Sequence, residues 1–382
     1  MQWMRLFGAL SSPVSGRVVL GPNWFASVMG TGMIAIAGAL LPLHFAWIDQ
    51  ISLFAWFASS VFLVILLIVV PLHWLKHPQV LRALLDDPVA IQFFGAPPMA
   101  IMTVGTASLL TGQHYLGTDA ALLIAEFCWV TGTVLGYLVA IAVPFRLFTQ
   151  LKVSNDGAFG GWLMPVVPPM VSATGGAVIA PYIVDPILRE SLILACYAMF
   201  GMSLTTSFMI ITLIWSRLAH FGSSASVRVP TLWIVLGPVG QSVTAAGGLG
   251  MAAANTLPEP YAVGLKSLAL LYGVPVWGFI WLWIPIATLL TLRAHQNRMG
   301  FALTWWSFTF PVGTCVTATC QLARHSGLLV FSWLAMVMYV ALLGAWLIVL
   351  AYTGWGIISG HLLTPKLGTA PPVAKKISDQ TE

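Results

Sequence analysis

GPNWFASVMGTGMIA, residues 21–35, places a proline early and follows it with Gly, Ala, Ser and Thr inside an apolar segment. The pattern returns in GAPPMAIMTVGTAS (95–108), MPVVPPMVSATGGAV (164–178), LGPVGQSVTAAGGLG (236–250) and TFPVGTCVTATC (309–320). The marking prolines are Pro22, Pro98, Pro169, Pro238 and Pro311, separated by 76, 71, 69 and 73 residues. A steady period of this length means one structural unit used five times, here a helical hairpin.

The rest of the chain says what surrounds these units. Of 382 residues, 59% are apolar and only 7% charged. A soluble domain carries about 25% charged residues, so water is not the main solvent of this surface. The 17 Trp suit the headgroup level of a bilayer, and 35 Gly and 24 Pro are tolerated in membrane helices. A spanning helix needs about 20 apolar residues. Ten segments qualify: 20–41, 51–72, 95–112, 119–144, 161–180, 187–216, 231–254, 262–291, 301–321 and 328–353. Residues 73–94 form an amphipathic stretch suited to the interface.

The net charge of +5 is a topological signal, not a nucleic-acid footprint. Thirteen of the 16 Lys and Arg fall on one side of the ten segments, leaving Arg189, Lys266 and Arg324 on the other. The positive-inside rule then puts both termini in the cytoplasm, in a multi-pass protein of the plasma (inner) membrane. The expected organisation is a cytoplasmic N-terminal segment (1–19), a ten-helix transmembrane domain (20–353) and a disordered cytoplasmic tail (354–382).

The odd-numbered helices differ from the even ones. Small residues let backbones approach closely, and interior prolines bend a helix and free backbone groups. The second, fourth and tenth helices are Leu-, Ile- and Val-rich without interior proline, as suits a lipid-facing ring. Five inner helices would enclose a pore. Its candidate lining is Phe25, Met29, Gly30 and Thr31 on the first, Pro98, Met102 and Thr103 on the third, and Pro169 and Ser172 on the fifth. The seventh adds Pro238, Gln241 and Thr244, and the ninth Thr314 and Thr317.

No catalytic constellation is present: no HExxH, Walker loop or GxSxG. The His residues lie near helix ends, and His73 and His77 lack a third metal ligand. Cys128, Cys196, Cys315 and Cys320 are read as buried free thiols. No metal and no cofactor is expected. A membrane-embedded enzyme or assembly factor would need polar groups gathered at one depth, and only Glu126 and scattered histidines are offered. Glu126, in the fourth helix, is either a structurally partnered carboxyl or a proton-coupling group. Arg324 is either an anion-attracting residue at the outer mouth or an ordinary interfacial arginine. Cation pores use acidic rings, and none is available. Helix N-termini, freed N–H groups and hydroxyls such as those of Thr31, Thr103, Ser172, Thr244 and Thr317 favour anions instead. Phe25, Trp305, Trp306, Phe308 and Phe310 are the rings able to close such a pore.

NWFASVMGTGMIA, the PP- and GP-bearing odd helices and WWSFTFPVGTCVTAT resemble the tellurite-resistance/dicarboxylate transporter family over residues 20–353. That family includes tellurite-resistance proteins, fungal malate permeases, sulfite efflux pumps and plant slow anion channels. The resemblance implies five helical hairpins with quasi-fivefold symmetry around a central pore, assembled as a homotrimer. It implies a gating phenylalanine before the proline of TFP, here Phe310, with Phe308 as second choice. The WFxSVMGTG form is nearer the malate and sulfite branches, so the expected substrate is a small anion: a C4-dicarboxylate such as malate, or sulfite.

Overall fold

Each inner stretch begins with a tight turn and continues as a helix buried on every side. The computed structural model describes residues 20–223, 228–360 and 362. The expected N-terminal segment and nearly all of the expected tail lie outside the described residues. Among the described residues every regular element is helical. We number its α-helices α1 (Phe25–Leu40), α2 (Ala46–Lys76), α3 (Pro78–Asp86), α4 (Ala96–Ala107), α5 (Gln113–Leu116), α6 (Thr118–Thr149) and α7 (Pro168–Ile179). They continue as α8 (Pro186–Phe221), α9 (Leu236–Ala254), α10 (Tyr261–Leu271), α11 (Gly273–Gln296), α12 (Phe310–Ser326) and α13 (Leu329–Ile358).

Among the described residues, eight helical stretches are long and apolar enough to cross a membrane. The expected fifth and ninth spans miss that mark because α7 and α12 have only 12 and 17 residues. Their N-terminal parts are instead short 3-10 turns, Gly160–Leu163 and Leu303–Phe308. Similar turns precede the other three small-residue helices, at Pro22–Trp24, Ala90–Gly95 and Val229–Val235.

The expectation of proline-bent inner helices is corrected here. Pro98, Pro169, Pro238 and Pro311 lie in the first turn of α4, α7, α9 and α12, and Pro22 in the 3-10 turn before α1. The first-turn N–H has no intrahelical partner anyway, so these prolines start helices without costing a hydrogen bond. The interior prolines are Pro71 of α2, Pro144 of α6 and Pro285 of α11. Two of these three helices were expected to be free of them, but α2 and α6 run on past the expected ends.

Burial divides the helices into two groups. The stretches Pro22–Leu40, Ala90–Leu116 and Val229–Ala254 are 83%, 78% and 89% buried over their most apolar window. The stretches containing α2, α6, α8, α10–α11 and α13 are 22–39% buried. Nearly every residue of α7 and α12 is buried too. The five buried helices touch in a closed cycle: α1 on α4, α4 on α7, α7 on α9, α9 on α12, and α12 on α1. Each also packs against the long helix that follows it in the chain.

Close approach depends on glycine at the tightest points. A Cβ on Gly240 of α9 would lie 2.6 Å from the Thr314 carbonyl carbon and 2.8 Å from the Cys315 nitrogen of α12. Tryptophans bind the outer helices to the inner ones. Trp346 Nε1 donates to Thr31 Oγ1 (3.1 Å), Trp129 to the Ser172 carbonyl (2.8 Å), and Trp277 to Thr319 Oγ1 (2.9 Å). An indole N–H buried in a bilayer needs such a partner. Outside the bundle, Arg146 pairs with Asp86 at 2.9 Å, fixing α6 to the amphipathic α3.

Candidate functional site

The cycle of small-residue helices leaves space along its axis. A cavity of about 580 Å³ is lined by the later turns of α1, α4, α7, α9 and α12, from Met33, Thr103, Thr174, Gln241 and Thr317 up to Arg324. A second cavity, about 30 Å³, is lined by their opposite ends, including Met29, Met99, Val167, Pro238 and Pro311. The five helices therefore all run in one direction, N-terminal ends toward the small cavity. Among the described residues, Phe310 alone borders both cavities. Phe310 is 5% exposed and stands where the two spaces meet.

Phe310 occupies that position because of its place in the chain. It is the first residue of α12, after the 3-10 turn Leu303–Phe308 and before Pro311. Of the neighbouring aromatics, Trp306 also borders the small cavity, while Trp305 and Phe308 border neither. Trp306 donates to Thr353 Oγ1 at 3.0 Å. Trp305 meets Phe301 and Phe308 edge-on and Tyr352 at a tilt. Phe308 meets Trp233 edge-on at 5.5 Å between centroids.

The other sequence-derived positions divide in two. Thr103, Gln241, Thr244, Thr317 and Arg324 border the large cavity, and Met29 and Pro238 the small one. Phe25, Gly30, Thr31, Pro98, Met102, Pro169, Ser172 and Thr314 border neither. Thr31 turns to α13 to receive Trp346, and Gly30 is covered by Thr309 and Trp306. Ser172 contacts Thr133 Oγ1 (2.9 Å) and Met102 Sδ (3.2 Å). Thr314 donates within α12 and toward the Leu236 carbonyl of α9. Glu126, half-buried on α6, also borders neither cavity, and no hydrogen bond or ion pair engages it among the described residues.

Hydroxyl donors for an anion are fewer than expected. Thr103 donates to the Met99 carbonyl (2.7 Å) and Thr174 to that of Val171 (2.8 Å). Thr244 and Thr317 bond each other at 2.8 Å, with further contacts to the carbonyls of Gly240 and Thr314. A hydroxyl has one hydrogen, so these groups face the cavity mainly with lone pairs. The sequence reading missed Arg189, which lines the large cavity together with Arg324. Its signal was its scarcity, as one of three basic residues on that side of the ten segments.

The sequence profile of the voltage-dependent anion channel family (SLAC1) matches residues 19–354. The chain belongs to this family. It is the family to which WFASVMGTG and WWSFTFP pointed. A sulfite efflux pump of Arthroderma otae is 26% identical over 343 residues, spanning 87% of this chain and 89% of that protein. An uncharacterized transporter of Methanocaldococcus jannaschii is 25% identical over 346 residues, 90% of this chain and 97% of the other. A sulfite efflux pump of Candida albicans is 23% identical, covering 80% of this chain and 66% of that one. The family membership makes the chain a multi-pass protein of an anion-transport family.

Proposed function

We propose that this protein moves small oxyanions across a bilayer along the axis of α1, α4, α7, α9 and α12, and that Phe310 is the gate. In this reading the five buried helices and their followers form ten spans in five hairpins with quasi-fivefold symmetry. The observation that carries it is the position of Phe310, the residue common to two otherwise separate axial cavities. A ring in a narrow apolar passage blocks ions by steric closure and by excluding water.

Sulfite is the favoured substrate, since several relatives spanning most of this chain are named sulfite efflux pumps. Malate is the second reading, supported by a cavity of about 580 Å³ that has room for a C4-dicarboxylate. Glu126 stands off the axis, so transport along this path does not pass its proton. The protein is proposed to sit in the plasma membrane as a homotrimer with cytoplasmic termini and Arg324 at the outer face.

The test is anion flux in proteoliposomes. Phe310→Ala should raise sulfite flux at least tenfold. A folded variant with unchanged or lower flux refutes the gate. A panel of sulfite, malate and chloride, with and without a pH gradient, separates the substrates.

A further inference from the structure

The large cavity's lining contains two guanidinium groups, Arg189 and Arg324, and no Asp, Glu or Lys. Neither arginine has an ion-pair or hydrogen-bond partner among the described residues. The Arg189 Nε is buried with its donor unmet. Of the two acids near it in sequence, Asp185 is committed to capping α8 through the Leu188 N–H at 2.8 Å, and the adjacent Glu190 forms no ion pair with it and does not line the cavity. An arginine left without a counter-charge beside a cavity is set to bind an anion from outside the protein.

A third donor, Gln321, lines the same cavity. Gln321 is one turn before Arg324 on α12, so both fall on one helix face. Its head lies against Gly247 and Gly248 of α9, where glycine leaves the room it needs. Its amide makes no hydrogen bond among the described residues. The Gln241 amide, deeper in the cavity, is already held by Thr174 Oγ1 at 3.2 Å.

The backbone makes these charges necessary. The large cavity opens at the C-terminal ends of five parallel helices, each carrying about half a negative charge. That mouth would repel anions without a local excess of positive charge. We infer that Arg189, Arg324 and Gln321 form a binding site for a doubly charged oxyanion at this mouth, distinct from the gate at Phe310. Two planar guanidiniums match the oxygens of a tetrahedral or pyramidal dianion in bidentate fashion. A halide offers no such geometry and only one charge. The inference deepens the transport reading and rests on it for its purpose, though not for its test.

The site is tested in purified full-length protein and in liposomes. At constant ionic strength, millimolar sodium sulfate or sulfite should raise the melting temperature while chloride does not. Arg189→Gln and Arg324→Gln should each weaken that response at least tenfold, with Arg324→Lys in between. In liposomes, on a Phe310→Ala background, either Arg→Gln change should cut sulfate flux at low concentration about tenfold and leave chloride flux within twofold. Variants that melt lower yet keep the wild-type sulfate midpoint would mean the arginines only cap helix ends, and the site is refuted. Equal losses for sulfate and chloride would mean a diffuse field, which also refutes it. Should Phe310→Ala conduct nothing, the transport reading falls, and the melting data still decide the site.

Discussion

Phe310, the proposed gate, and Gly240 carry the two demands this reading places on the chain, closing an axis and letting helices meet. A Cβ on Gly240 would strike backbone of α12, whereas Gly237, three residues earlier, has nothing within 4 Å of such an atom. Gly240→Ala is expected to cost about 1–3 kcal/mol, as overpacking of a tight core does, and Gly237→Ala close to none. Thermal unfolding in detergent compares the pair. Glu126→Gln is expected to leave the pH dependence of sulfite flux unchanged, since its carboxyl is away from both cavities. A flattened pH profile would put a proton relay through α6. Individual residues were unevenly legible. Thr244 and Thr317 were found because a repeat aligns them, and Phe310 because the family resemblance marks the residue before the proline of TFP. Thr31, Ser172 and Thr314 look the same in sequence and face neighbouring helices. A helix buried on all sides has no polar face to give its rotation, so sequence alone could not sort lumen from interface. Arg189 lies at the start of an outer helix, beyond the reach of the repeat.

At the scale of elements, the repeat told which helices lie inside, and the buried and exposed groups follow it. It misled about proline. A proline two or three residues into a helix and one in its middle look alike until the helix start is known, and here 3-10 turns set that start. Pro169→Ala should therefore change stability by no more than about 1 kcal/mol and leave flux intact, because no kink is lost. A large loss of flux would restore the bent-helix view. Trp346→Phe removes the bond to Thr31 and should cost about 1 kcal/mol, read as a modest fall in melting temperature. The outer helices exceed expectation in length. α8 has 36 residues, about 54 Å at 1.5 Å per residue, against a hydrocarbon core of about 30 Å. Charged residues near its end, such as Arg217, are where a helix of this length is expected to pass out of the lipid, which apolar windows alone do not register.

At the scale of the whole molecule, the orientation expected from charge is open to direct labelling. Single cysteines at Asn255 and Asn297, on a background without native cysteine, should react with impermeant maleimide from opposite sides. Asn255 belongs to the large-cavity mouth and Asn297 to the loop after α11. Reaction from the same side would overturn the ten-crossing arrangement. The unequal cavities have an electrical consequence. In the proposed transport path, the space of about 580 Å³ would carry conducting solvent from one surface down to the Phe310 ring. A membrane potential falls only where conduction fails, so the voltage is concentrated on the short remaining distance through the ring and the small cavity. An ion resting above the ring feels little of it. One crossing the ring gains or loses about 2.3 kcal/mol per 100 mV for each unit of charge, so the current should steepen with voltage far more for a dianion than for chloride.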